Sequence, residues 1–224
     1  MVKIIAIDGP GGAGKGTVSR ILADKLGFHY LDSGALYRLL GLVAMRHRIQ
    51  IKASDDLTRL AENMDISFEA MANGDNRVLL EGEDVTVELR SEQTAALASE
   101  VAANAQVRAA LLLRQQQFAK APGLVADGRD MGTVVFPNAQ LKIYLTASIE
   151  ERAQRRYKQL LEEGESVSLR ALEEQVRSRD ERDMSREASP LVVAADAVEI
   201  DTSKLSIQEV VDRVQNIAIL RGLM

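Results

Sequence analysis

The sequence predicts an α/β fold whose core is a doubly wound, five-stranded parallel sheet. Short, continuous apolar runs of strand length alternate with helical patterns along the chain, as expected of strands that helices cover on both faces. Every run ends in polar residues, which would meet at the carboxyl edge of such a sheet. The 224 residues, 46% of them hydrophobic, suffice for one such core and a small insert.

The apolar runs and helical patterns can be assigned in chain order. The predicted strands are 4–8, 29–31, 124–126, 141–145 and 197–200. The predicted helices are 17–26, 35–48, 93–119, 149–163, 168–184 and 206–220.

The segment GPGGAGKGT at 9–17 follows the first predicted strand. Glycines let backbone N–H groups curl around an anion, the next helix adds its positive end, and a lysine supplies a mobile charge. Strand, loop and helix in this order predict a P-loop for the phosphates of a nucleoside triphosphate. The predicted nucleotide-binding residues are Gly9, Pro10, Gly11, Gly12, Ala13, Gly14, Lys15, Gly16 and Thr17.

One position departs from the general phosphate-loop pattern. Gly16 stands where that pattern has a serine or threonine hydroxyl for Mg²⁺, and Thr17 comes one residue later. This GKGT variant is similar to that of the adenylate kinases, which implies that Mg²⁺ is held mainly through water and phosphate. Thr17 is therefore only a further candidate metal ligand.

Two segments interrupt or extend the predicted P-loop core, which comprises 1–61, 93–150 and 187–224. Short strand patterns at 66–69, 77–81 and 84–88, with turns at 73–76 and 81–84, predict a small antiparallel insert over 62–92. Residues 151–186 are rich in arginine and divided by Gly164, which predicts a hinged helical lid. The alternative for this charged run is a pair of solvated helices.

Composition narrows the function classes. The net charge of −5 argues against a general nucleic-acid binder, since such domains are usually basic. The absence of cysteine excludes disulfides and thiolate chemistry and suits a cytoplasmic location. We expect no signal peptide, no membrane span and, without an obvious apolar stripe, a monomer.

Arginines also follow the predicted strands. Arg129 and Asp130 come directly after 124–126, and Arg38 lies in the helix after 29–31. Each alone would be read as a capping contact or a surface ion pair. Beside a phosphate loop they predict a second anion site, because phosphoryl transfer to a phosphate needs positive charge on both partners.

Four segments together resemble the bacterial cytidylate (CMP) kinases over essentially the whole chain. They are GPGGAGKGT at 9–17, LDSGALYR at 31–38, ADGRDMGTVVFP at 126–137 and RDERD at 179–183. The second and third are much narrower signals than the glycine loop. The resemblance implies transfer of the γ-phosphoryl group of ATP to CMP or dCMP, without a general base because the acceptor is already a phosphate dianion.

The resemblance also implies residue roles. Arg38, Arg129 and Arg186 would bind the CMP phosphate; Ser99, Arg108 and Asp183 would contact cytosine; Asp130 and Arg179 would hold the sugar; Ser33 and Tyr37 would line the same pocket. Asp127 would orient hydrated Mg²⁺, and Arg152 and Arg156 would face ATP from the lid. The implied catalytic set is Lys15, Asp127, Arg129 and Arg186.

Three other functions stay open at this point. A nucleoside monophosphate kinase for UMP or AMP would share the loop and lid. A kinase of a small metabolite such as shikimate would hold a carboxylate acceptor. A nucleotide-switch module is a third alternative, although the chain has no Asn-Lys-x-Asp element that reads guanine.

Overall fold

The computed structural model describes residues 2–51, 54–70, 76–162 and 164–223. The chain divides into two compact units, one formed by 1–32 and 116–224 and the other by 33–115. None of the helices in these described ranges is long and apolar enough to cross a membrane.

The first unit contains the five-stranded sheet. Its strands are β1 (Lys3–Asp8), β2 (His29–Asp32), β6 (Gly123–Gly128), β7 (Leu141–Thr146) and β8 (Val198–Asp201). Their spatial order is β2-β6-β1-β7-β8, and every neighbouring pair is parallel. The predicted five-stranded parallel sheet is therefore confirmed.

Helices of the same unit cover the sheet. They are α1 (Lys15–Leu26), α6 (Ile149–Glu162), α7 (Leu169–Ser185) and α8 (Ile207–Leu220). The main core packs Ile5, Ile7 and Ile143 of the sheet against Leu22 of α1 and Val211 of α8. A smaller cluster of Ala153, Leu160 and Leu172 joins α6 to α7. The first cluster therefore buries the body of the sheet, and the second joins the two helices that follow β7.

The second unit is formed by helices and a small sheet. Its elements are α2 (Ser33–Arg46), α3 (Ser54–Asn63), β3 (Ile66–Ala70), β4 (Asn76–Leu80), β5 (Glu83–Asp84), α4 (Glu92–Val101) and α5 (Ala105–Gln116). Gly41 of α2 lies against α4, where a β-carbon would be 2.9 Å from Cβ of Leu97. This close approach lets the two helices pack tightly.

The antiparallel sheet predicted for the insert is confirmed, with a shorter third strand than predicted. β3, β4 and β5 pair in that order. Glu81 and Gly82 both have positive φ, 52° and 81°, as a two-residue hairpin turn requires. The third predicted strand, 84–88, is largely wrong: β5 ends at Asp84, and Glu88–Arg90 form a 3₁₀ turn. The predicted turn at 73–76 lies mostly outside the described residues.

Two helix predictions differ from the structure. The predicted single helix 93–119 is two helices, because Asn104 interrupts it and accepts hydrogen bonds from the N–H groups of Gln106 and Val107. Helix α3 was not predicted at all. The boundaries proposed for the core, insert and lid stay predictions.

Candidate active site

The glycine-rich segment forms a loop between β1 and α1. Gly9 has φ of +145°, and a β-carbon there would lie 1.9 Å from the carbonyl oxygen of Leu145, so only glycine fits. Gly14 precedes α1 in the left-handed region, with φ of 86°. The loop therefore leads its backbone directly into the positive N-terminal end of α1.

Lys15 is buried at the start of α1. Its Nζ donates to the carbonyl oxygen of Pro10 at 2.9 Å. Burial, followed by the charge of Arg129, lowers the pKa of Lys15 to about 7. A bound polyanion would favour the charged form again, so the lysine is set for a ligand rich in negative charge.

Two arginines lie over the same loop. A β-carbon on Gly11 would be 3.4 Å from Nη2 of Arg129 and 3.7 Å from Nε of Arg179. These guanidinium groups therefore lie close to the loop at Gly11. Lys15, Arg129 and Arg179 thus form one positive cluster within the first unit.

Asp183 links two of the predicted phosphate-binding arginines. Its Oδ2 accepts from Nε of Arg129 at 2.8 Å, and its Oδ1 lies 3.8 Å from Nη1 of Arg186. Burial raises the pKa of Asp183, but the charge and hydrogen bond of Arg129, together with the charges of Arg179 and Arg186, outweigh it and hold that pKa below its usual range. Burial likewise opposes the charge of Arg129, yet the Asp183 carboxylate keeps the pKa of Arg129 raised.

Asp127, at the end of β6, faces the start of α1. Its Oδ2 accepts from the hydroxyl of Tyr30 at 2.7 Å. A β-carbon on Gly16 would lie 3.5 Å from that oxygen and 3.7 Å from the Tyr30 hydroxyl. The carboxylate therefore stands beside the lysine end of the phosphate loop, while the Thr17 side chain is exposed.

Asp8 holds the turn that follows Arg129 and Asp130. Its two carboxylate oxygens accept from the N–H groups of Met131 and Gly132 at 2.8 Å and 2.7 Å, at the start of a π-helical turn, Met131–Val135. Burial raises the pKa of Asp8 to about 6, even though both hydrogen bonds act in the opposite direction. Asp130 itself is 3% exposed, so this segment is firmly embedded.

Arg152 connects α6 to the phosphate loop. It is 3% exposed, pairs with Asp180 of α7 through two donors, and donates to the carbonyl oxygen of Gly11 at 3.0 Å. In this arrangement Arg152 braces the loop. Arg156, its predicted companion toward ATP, is half-buried one helical turn further along α6.

The remaining predicted residues lie in the second unit. The Arg108 guanidinium carbon is 5.3 Å from the centre of the Tyr37 ring, a cation–π distance, and Nη1 donates to the carbonyl oxygen of Ala102. The buried Ser33 hydroxyl donates to Oε1 of Gln115 at 2.7 Å. Arg38 is half-buried in α2.

Ser99 lies on α4 of the second unit. Its hydroxyl oxygen is buried and has no hydrogen-bond partner among the residues that the structure describes. A buried polar atom of this kind usually has a partner, so Ser99 is a candidate ligand contact.

Comparison with known proteins decides the family. The cytidylate kinase family model matches residues 5–219. A cytidylate kinase of Stutzerimonas stutzeri (strain A1501) is 56% identical over 95% of this chain and 93% of its own length. One of Pseudomonas savastanoi pv. phaseolicola is 54% identical over 98% of this chain and 96% of its own, and one of Colwellia psychrerythraea is 52% identical over 94% and 93%. The chain belongs to the cytidylate kinase family.

Membership of the cytidylate kinase family confirms the predicted resemblance and the predicted enzyme class, a phosphotransferase. Solved structures add nothing to this: a Thermus thermophilus protein and a shikimate kinase of Bacteroides thetaiotaomicron align with TM-scores of 0.47 and 0.45, at 19% and 14% identity. They cover 100% and 96% of this chain, and 98% and 97% of their own chains. Scores this low carry no functional weight.

Three residues around the site of this cytidylate kinase family member were not predicted from the sequence. They are Asp8, Tyr30 and Asp180, each of which hydrogen-bonds a predicted site residue or its loop. Asp8 is the last residue of its strand, and a carboxylate there is a signal that could have been used. Tyr30 and Asp180 find their partners only through the fold.

Proposed function

We propose that this protein transfers the γ-phosphoryl group of ATP to CMP and dCMP. An oxygen of the acceptor phosphate attacks the γ-phosphorus, the bond to the β–γ bridging oxygen breaks, and ADP leaves with CDP or dCDP. The observation that carries the proposal is a second arginine set distinct from Lys15. Asp183 joins Arg129 and Arg186 in it, and Arg129 lies close to the glycine loop. A nucleotide-binding module needs only the loop.

The donor side rests on the loop and α1. Backbone N–H groups of the loop from Gly9 to Thr17, in which Pro10 has none, surround the ATP phosphates, and Lys15 neutralises the β- and γ-phosphates. Arg152 shapes the loop through the carbonyl oxygen of Gly11. Arg152 and Arg156 also contact ATP directly.

The acceptor phosphate is bound by Arg38, Arg129 and Arg186. Arginine suits this task because its planar donors can engage a phosphate bidentately. Developing charge on the transferred group is stabilised by Lys15 and Arg129, which approach the same loop. Asp130 and Arg179 hold the sugar hydroxyls.

Cytosine is read by Arg108, Asp183 and Ser99, with Tyr37 and Ser33 in the same pocket. Arginine can donate to O2 and N3 of cytosine, and a carboxylate can accept from its exocyclic amine. Uracil presents a carbonyl in place of that amine, so the carboxylate would lose its partner, at a cost of ~1–3 kcal/mol. This difference supports CMP over UMP.

The chain fits Mg²⁺ held with ATP better than Mg²⁺ held by the protein alone. The described residues contain no cluster of three or more histidine or acidic ligands, while Asp127 stands beside Gly16 of the loop. Mg²⁺ typically takes one or two carboxylates together with phosphates and water. When bound, it would neutralise phosphate charge, with Asp127 orienting its waters and Thr17 as a further candidate.

We also propose that the enzyme is monomeric and cytoplasmic and that it acts on free nucleotides. The lack of cysteine suits a reducing compartment, and the net charge of −5 disfavours binding to nucleic acid. Light scattering behind a sizing column would test the oligomeric state.

The experiment that tests the function measures ADP release from ATP and Mg²⁺ with CMP, dCMP, UMP, AMP, GMP or shikimate as acceptor. Fast turnover confined to CMP and dCMP is expected. Preference for another nucleotide would overturn the roles of Arg108 and Asp183. Absence of turnover with every acceptor would overturn the proposal as a whole.

A further inference from the structure

The contact between Tyr30 and Asp127 follows from the register of two parallel strands. Tyr30 of β2 pairs with Val125 of β6, and Asp32 pairs with Asp127. Side chains alternate between the faces of a strand, so Tyr30 and Asp127 share a face as diagonal neighbours. The Tyr30 hydroxyl reaches Oδ2 of Asp127 at 2.7 Å.

The Tyr30–Asp127 pair lies beside Gly16, the position at which the phosphate loop departs from the general pattern. Gly16 occupies the position at which the general pattern has a hydroxyl side chain, and a β-carbon there would lie within 3.7 Å of both Oδ2 of Asp127 and the Tyr30 hydroxyl. The Tyr30 hydroxyl of β2 therefore lies next to the position that the β-carbon of a serine or threonine at residue 16 of α1 would occupy.

The Tyr30 ring is anchored, whereas a carboxylate by itself can rotate. Tyr30 packs against the main core cluster of the sheet, and its hydroxyl engages one oxygen of Asp127. A hydrogen bond from a fixed ring restricts the orientation of the carboxylate plane. Groups that hold a metal-facing side chain in this way commonly change metal affinity or activity when removed.

We propose that Tyr30 is a positioning residue that orients the Asp127 carboxylate toward the water shell of nucleotide-bound Mg²⁺. This inference rests on the proposed function and deepens it. Tyr30 acts through Asp127 and does not touch substrate. In this chain a tyrosine–aspartate pair thus complements a loop whose glycine lacks the usual hydroxyl.

The test compares Tyr30→Phe with Tyr157→Phe, a matched control that removes a hydroxyl from α6. Calorimetry measures the affinity for ATP with Mg²⁺ and with EDTA. In Tyr30→Phe the gain in affinity that Mg²⁺ brings should fall roughly 10-fold, while the affinity measured in EDTA stays unchanged. Tyr157→Phe should match the parent in both.

Turnover gives a second, independent measurement. Tyr30→Phe should lower kcat with a KM for CMP within about twofold of the parent, and should need more Mg²⁺ for half-maximal rate. In a double-mutant cycle with Asp127→Asn, the fold loss in kcat of the double variant should be clearly smaller than the product of the two single-variant losses. The reason is that both changes act on one contact.

The outcomes separate the two proposals. The role of Tyr30 would be overturned if Mg²⁺ raised the ATP affinity of Tyr30→Phe as much as that of the parent. It would also be overturned if the kcat losses of Tyr30→Phe and Asp127→Asn multiplied independently in the double variant. A parent protein without CMP turnover would overturn the proposed function, while the calorimetric comparison would still decide whether Tyr30 acts on Mg²⁺-dependent nucleotide binding.

Discussion

Arg129 donates from Nε to Oδ2 of Asp183 at 2.8 Å, so a residue proposed to bind the acceptor phosphate is tied to one proposed to read the base. The same carboxylate lies 3.8 Å from Nη1 of Arg186. One acidic side chain therefore balances two half-buried arginines. The proposed roles of these residues would couple base recognition to phosphate binding through it.

Replacing Asp183 with Asn should weaken both functions at once. The amide carries no charge to hold Arg129 and Arg186, and it offers the cytosine amine only a neutral acceptor. We expect a KM for CMP raised roughly 10-fold or more, since loss of a charged hydrogen bond costs about 1.5–3 kcal/mol, and a smaller ratio of kcat/KM for CMP over UMP. Steady-state kinetics with both acceptors, with the exposed Glu181→Gln as control, would test this. An altered base ratio with unchanged KM for CMP would contradict the coupling.

Lys15→Met should separate catalysis from stability. Loss of one charge that stabilises the transition state should lower kcat by roughly 100- to 1,000-fold. The pKa of Lys15 falls from its ordinary 10.5 to about 7 on folding, so the unfolded chain binds more protons between these values and stability rises with pH there. In the Lys15→Met variant this part of the rise in the free energy of unfolding with pH should be absent.

Urea unfolding of the parent and Lys15→Met at pH 7 and pH 9 would measure the effect, with the exposed Lys204→Met as control. The expected result is that the variant is at least as stable as the parent at pH 7. A large loss of stability at pH 7 would show that Lys15 supports the fold.

Arg152→Met should destabilise the protein by about 3–5 kcal/mol, because it leaves the Asp180 carboxylate buried without its ionic partner. The double variant Arg152→Met, Asp180→Leu should recover most of that loss. The control is Arg170→Met, which breaks the exposed pair with Glu174 and should have no measurable effect. Urea unfolding of all four proteins decides; equal destabilisation of the single and double variants would refute the explanation.

Asp8→Asn should change the pH dependence of stability. Because the pKa of Asp8 is raised from 3.8 to about 6 in the folded protein, the folded state binds more protons between these values. The contribution of Asp8 is therefore full below pH 4 and is lost as pH rises past 6. Relative to the parent, the free energy of unfolding of the variant should rise by about 3 kcal/mol from pH 3 to pH 7.

Chemical denaturation across that pH range provides the measurement, and Asp24→Asn, an exposed aspartate of α1, serves as control. A constant difference between Asp8→Asn and the parent would mean that the carboxyl group titrates alike in both states.

The parallel sheet was predictable because its strands are continuous apolar runs between helical patterns. The break between α4 and α5 was not, because no glycine or proline marks it and the apolar pattern continues; the Asn104 side chain alone caps α5. The third strand of the insert failed for another reason. Val85 is fully buried, but the segment that follows it forms a 3₁₀ helix. The alternation of apolar and polar residues over 84–88 therefore did not predict a strand correctly.

The candidate site was predictable where one motif carries the chemistry, as for Lys15 and its loop. It was not predictable where a side chain acts on a motif from a distant part of the chain. Tyr30 lies 97 positions from Asp127, and Asp180 lies 28 from Arg152. Nothing local distinguishes such residues from ordinary core or surface residues.

The strand order has a consequence for biosynthesis. β6 pairs with both β1 and β2, yet the entire second unit is translated between β2 and β6. On the ribosome, β1 and β2 must therefore wait with unsatisfied edges until residues 33–115, the continuous stretch that forms the second unit, have emerged. The phosphate loop at the end of β1 would thus be among the first segments synthesised and among the last to reach its final form.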